Sequence, residues 1–116
     1  MRSKPIVALI YDFDGTLSPG NMQEFGFIQA IGKKPQEFWQ ESDDIAVGQD
    51  ASNILSYMKL MIDEARKAGI KLRRDDFRSF GASVELFNGV REWFSLVNEY
   101  GRQQGVRVEH YINSSG

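Results

Sequence analysis

The sequence contains no cysteine, so it can form no disulfide, no thiolate zinc site and no cysteine nucleophile, and it is compatible with a reducing compartment. It has one histidine, His110, which leaves oxygen atoms as the main ligands for any metal. No apolar run approaches the roughly 20 residues of a membrane span. The run Ile6 to Tyr11 is also too short, and too soon followed by acids, to read as a signal peptide. Basic residues are not in excess, since 14 Lys and Arg stand against 16 Asp and Glu for a net charge of -2, which argues against a general nucleic-acid-binding surface. Internal repeats, low-complexity tracts and long Pro/Gly/Ser linkers are missing too. These absences lead us to expect a soluble, cytoplasmic protein with neither nucleic-acid nor membrane partners.

What is present fits a globular chain with one core: 116 residues, 41% of them hydrophobic and 26% charged. Residues 5–11, PIVALIY, form a continuous, partly β-branched apolar run, which predicts a strand buried on both faces as in a parallel sheet. From about Gln23 to Phe80 the pattern is helical, with EFGFIQAIG and PQEFWQE placing apolar residues three or four apart. A long helix is expected over 51–68, with Ile54, Met58, Met61 and Ala65 on one stripe, Leu55 and Ile62 beside it, Asp50 or Ser52 as cap and Gly69 as terminator. A further helix carries Val90, Trp93, Phe94, Val97 and Tyr100 on one face and is closed by Gly101 and Gly105. The last segment, VRVEHYIN, alternates Val106, Val108, His110 and Ile112 with Arg107, Glu109 and Tyr111, the period of a strand. Two strands joined through a helix favour a parallel pair, in which ligands collect at the carboxyl ends. DFDGT and NSSG follow the two strands, so both are expected on the same sheet edge.

At these residues the chain resembles the haloacid dehalogenase-like hydrolase superfamily. Tyr11-Asp12-Phe13-Asp14-Gly15-Thr16-Leu17 after an apolar strand is similar to its first motif, and Ile112-Asn113-Ser114-Ser115-Gly116 to its second. The resemblance implies an α/β fold, a partial Rossmann-like parallel-sheet core (1–20 and 81–116) with a helical cap insertion (21–80). It implies a Mg²⁺-dependent phosphohydrolase that acts on a small-molecule phosphomonoester through an aspartyl-phosphate. It further implies Mg²⁺ on the Asp12 side chain and the Asp14 carbonyl, and phosphate contacts from Phe13, Gly15, Thr16, Ser114 and Ser115. The family's lysine and later acids have no place before Gly116, so we expect an N-terminal fragment with little turnover alone.

The residue types suit that chemistry. Phosphoryl transfer to a carboxylate needs an ionised oxygen in line, for which Asp12 is the candidate. A second carboxyl must protonate the leaving alcohol and later accept a proton from water, a role within reach of Asp14. Two such anions beside a phosphate call for a hard cation. Gly15 permits a tight turn that leaves amides free near the phosphate. Within the superfamily that the chain resembles, an acid at position 14 implies a phosphatase, or a sugar-phosphate mutase, rather than a dehalogenase, while a catalytically silent binding or regulatory domain is the alternative from another class. The competing readings are plainer: an acidic turn for Asp12 and Asp14, an ordinary polar loop for Ser114 and Ser115, a structural strand residue for His110, solvated helix ends for Lys33-Lys34 and Arg73-Arg74, and packing roles for Trp39, Trp93 and the Met58/Met61 stripe.

Overall fold

The continuous apolar run and the period-two segment near the two ends of the chain become strands, β1 (Ile6–Tyr11) and β2 (Arg107–Ile112), in a computed structural model that describes residues 3–116. Met1 and Arg2, which open the expected 1–20 segment, lie outside the described residues. The strands pair in parallel, Ile6 opposite Arg107 through Tyr11 opposite Ile112. Five helices lie between them: α1 (Phe27–Ala30), α2 (Pro35–Gly48), α3 (Asn53–Lys67), α4 (Arg74–Gly81) and α5 (Val90–Gln103). Among the described residues this is a mixed α/β chain whose one sheet has two parallel strands. It divides into two compact units, one made of the chain up to Gly20 with Glu85–Ser115, the other of Asn21–Val84 with Gly116.

In the first unit α5 packs on β2, and its facing positions are Val90, Phe94, Val97 and Gly101. Gly101 lies inside the helix rather than closing it. A Cβ there would sit 2.5 Å from Val108 Cγ2, so the helix approaches the strand as closely as only glycine permits. The helix closes instead at Gly105 (φ +76°), with the Gly105 amide donating to the Arg102 carbonyl (3.1 Å) and the Val106 amide to the Gly101 carbonyl (2.9 Å), the paired bonds of a left-handed glycine terminus. Tyr100, expected on the packed face, is exposed.

The expectation that β1 is buried on both faces is not met: Ile6 and Ile10 are 54% and 69% exposed. Side chains alternate along a strand, so Leu9 and Tyr11 share with Val108 and His110 the face that α5 covers, while Ile6, Ala8 and Ile10 fall on the other. No element of this unit covers that second face among the described residues.

The second unit is helical, as its 3.6-residue periodicity predicts, and holds the hydrophobic core. Phe27, Ile28, Phe38, Leu60 and Ala65 are buried, with Trp39, Tyr57, Met61 and Phe80 packed against them. Phe27 meets Phe38 and Phe80 edge-on, and Phe38 meets Trp39 likewise at 5.1 Å. Helix α2 starts with Pro35 at its first turn, where its missing N–H costs nothing. Helix α3 starts after Ser52, whose carbonyl accepts from both the amide and the hydroxyl of Ser56 (2.9 and 2.8 Å), and ends before Gly69 (φ +70°). Its buried face is Ser56, Leu60, Glu64 and Ala65, displaced from the expected stripe: Ile54, Leu55, Met58 and Ile62 are exposed. The shift arises because Glu64, polar by type, is buried with Lys33 and Lys67 as ion partners, and hydrophobicity alone cannot signal that. Lys33 is therefore not a solvated helix end; it pairs with both Glu41 and Glu64.

Candidate functional site

β1 ends at Tyr11 and the chain turns at once. The Phe13 carbonyl accepts from three successive amides, those of Thr16 (3.1 Å), Leu17 (3.0 Å) and Ser18 (3.2 Å), which wraps residues 13–18 around one oxygen. Gly15 takes φ +77°, the left-handed conformation that glycine adopts without strain, and its amide donates to the Ser18 carbonyl at 2.7 Å. The loop is anchored at its far end: Leu17 and Ser18 are buried, the Ser18 hydroxyl donates to the Glu85 carbonyl, and the Phe87 amide donates to the Leu17 carbonyl (2.9 Å). The tight turn expected at Gly15 is thus present. The Gly15 and Thr16 amides, however, are occupied inside it rather than left open as expected, because closing so short a loop uses its own donors.

Asp12, Gly15 and Thr16 are exposed on this loop, with Phe13 and Asp14 half-buried. Asp12 Oδ1 accepts from the Phe13 amide (2.8 Å), which turns the carboxylate back along the loop. Across the sheet the Asn113 amide donates to the Tyr11 carbonyl (2.9 Å), so the ladder runs one residue past the strands and Ser114 and Ser115 leave from the same edge as Asp12. Both serines are exposed. The donor set at this edge, carboxylate and carbonyl oxygens, suits Mg²⁺ in kind. In number it is small, since no cluster of three His, Asp or Glu side chains occurs among the described residues.

Sequence reasoning passed over a side-chain network directly behind this edge. Trp93 Nε1 donates to the Tyr11 hydroxyl (2.9 Å); Tyr11 Oη lies 2.8 Å from His110 Nδ1; His110 Nε2 lies 2.7 Å from Asn98 Oδ1. An amide oxygen only accepts, so Nε2 carries the hydrogen and Nδ1 accepts from Tyr11. The Tyr11 and His110 rings lie 12° from parallel, and Phe94 stands edge-on to both, at 5.8 and 5.0 Å. His110 is thus a strand residue with a fixed tautomer, and Trp93, 46% exposed, acts through its N–H rather than as buried packing. The period-two pattern put His110 on one face with Val108 and Ile112; nothing in it pointed to Asn98 as a partner. On the opposite sheet face Glu109 is held below the usual carboxylate range, first by the Tyr111 hydroxyl and then by Arg107.

No helix of the described residues is long and apolar enough to cross a membrane. No family model matches the chain, and no solved structure matches it. A Borreliella burgdorferi protein described as uncharacterized is 30% identical over 121 aligned residues, covering 96% of this chain and 42% of that protein, so the chain spans less than half the length of the relative it matches.

Proposed function

We propose that this chain carries the nucleophile-bearing part of a haloacid dehalogenase-like, Mg²⁺-dependent phosphohydrolase with a Rossmann-like core. One observation carries the reading: parallel pairing with Tyr11 opposite Ile112, extended by the Asn113 amide on the Tyr11 carbonyl, brings DFDGT and NSSG to one sheet edge. An Asp12 carboxylate oxygen attacks the phosphorus of a phosphomonoester and the bond to the ester oxygen breaks. The leaving oxygen takes a proton from Asp14. Water then attacks the phosphorus of the aspartyl-phosphate and gives its proton to Asp14, and inorganic phosphate leaves with the Asp12 carboxylate restored. Ser114 donates its hydroxyl to a non-bridging oxygen, with the Ser115 amide close by. Mg²⁺, held by the Asp12 side chain and the Asp14 carbonyl, supplies charge neutralisation between the phosphate and the carboxylates.

The closed turn, whose Gly15 and Thr16 amides are already bonded, supports a second reading, a domain with this fold and no turnover. Hydrolysis of an aryl phosphate with and without Mg²⁺ separates the two, measured on this chain, its Asp12→Asn variant and a longer protein containing it. Mg²⁺-dependent release abolished by Asp12→Asn supports the phosphohydrolase; no release from the longer protein favours the silent domain.

A further inference from the structure

We propose that Tyr11 and His110 are positioning residues that set the direction in which the Asp12 carboxylate leaves β1, a role that rests on the phosphohydrolase reading of Asp12. Tyr11 is the last residue of β1 and is held on three sides. Its carbonyl accepts from the Asn113 amide, its hydroxyl accepts from Trp93 Nε1 on α5, and the same hydroxyl donates to His110 Nδ1 on β2. Every hydrogen in this chain of bonds has one place to go. Trp93 can only donate and the Asn98 oxygen can only accept, so the polarity of the Tyr11 hydroxyl and the tautomer of His110 follow from the two ends. Phe94, edge-on to both rings, keeps them from swinging.

The consequence reaches the next residue along the chain. With Tyr11 fixed in backbone and side chain, the peptide that enters Asp12 has a set plane, and the Asp12 carboxylate completes its orientation by accepting from the Phe13 amide at 2.8 Å. A network of side-chain hydrogen bonds among Trp93, Tyr11, His110 and Asn98 does this. The network also ties the two sheet-edge segments together, since Tyr11 is bonded both to His110 on β2 and to Asn113, the residue before Ser114.

The test uses this chain, with nuclear magnetic resonance of the Phe13 amide, the Asp12 carboxyl carbon and the His110 ring nitrogens. It is combined with Mg²⁺ and beryllofluoride, which coordinates a carboxylate oxygen in the way a transferred phosphoryl group does. In the parent chain the His110 resonances report hydrogen on Nε2. Tyr11→Phe and His110→Ala displace the Phe13 and Asp12 resonances, and they weaken beryllofluoride binding by about tenfold, the worth of one hydrogen bond. His110→Asn, whose oxygen can accept from Tyr11 where Nδ1 did, restores both; a merely structural role predicts no such rescue. Tyr111→Phe, on the other sheet face, changes neither, and retained β1 and β2 amide dispersion shows that each variant folds. Displaced Asp12 resonances in a chain that binds no beryllofluoride leave the positioning role standing and count against the phosphohydrolase. Unmoved Asp12 resonances, or undiminished binding in Tyr11→Phe, overturn the positioning role.

Discussion

Replacing Gly101 by alanine gives a test in which two physical effects have opposite signs and the structure decides between them. In an ordinary helix interior Gly→Ala stabilises by about 1 kcal/mol, because the unfolded chain loses freedom and the helix gains a side chain. At Gly101 the new methyl sits 2.5 Å from Val108 Cγ2 and 3.4 Å from Val106 Cγ2. A β-branched valine on a strand has few alternative rotamers, so the helix must move off the sheet or the valine must leave its well. Overpacking of this kind costs roughly 1–3 kcal/mol, which exceeds the propensity gain and leaves the first unit destabilised by about 1 kcal/mol. Gly48, at the end of α2, is the internal control: a Cβ there meets nothing within 4 Å, so the same substitution stabilises. Amide hydrogen exchange of Leu9 and Val108 reads the first unit, and that of Phe38 and Leu60 the second. Gly101→Ala lowers protection in the first set, Gly48→Ala raises it in the second, and adding Val108→Ala to Gly101→Ala recovers part of the loss through a favourable coupling. Raised Leu9 and Val108 protection in Gly101→Ala would refute the close approach of α5 to β2.

The second unit answers to acid through Glu64, whose side chain is 8% exposed and whose pKa lies below the ordinary glutamate value because Lys67, and then Lys33, bond to its charged form. A depressed folded-state pKa contributes stability above the unfolded value, near pH 4.3, and that contribution disappears as pH falls through the folded value. Glu64→Gln therefore flattens the acid limb of the melting curve and costs about 1.5–3 kcal/mol at neutral pH, the worth of a hydrogen bond to a charged group. Phe38→Ala empties the middle of the aromatic cluster and costs roughly 3–5 kcal/mol by urea titration, with Trp39 fluorescence as the probe. Gly26 combines φ +81° with a Cβ position 3.1 Å from the Phe80 backbone, so Gly26→Ala lowers the melting temperature of the second unit rather than raising it. The sheet face carrying Ile6 and Ile10 is apolar and both strands have open edges, so the chain self-associates in sedimentation and Ile10→Lys shifts it toward monomer.

Local sequence determined a good deal here. The continuous, partly β-branched apolar run 6–11 and the alternation through 107–112 can be satisfied by extended backbone alone, and a helix-bearing connection between them made the parallel pairing legible. Gly15, Gly69 and Gly105 mark left-handed positions that any L side chain would strain, so the turn and two helix ends were readable residue by residue. What the sequence could not decide is which polar groups are buried, because that depends on partners distant in the chain. Glu64 takes the inner face of α3 because Lys33, distant in the chain, meets it there together with Lys67, and the apolar Ile54, Leu55, Met58 and Ile62 are left outside. Gly101 looked like a terminator and is a contact point, since its lack of a Cβ serves β2 rather than the backbone. The two aspartates of DFDGT were evident from spacing, but the fixed Tyr11 behind them is not, for Trp93, Asn98 and His110 come together only when α5 lies on the sheet and each donor finds its acceptor.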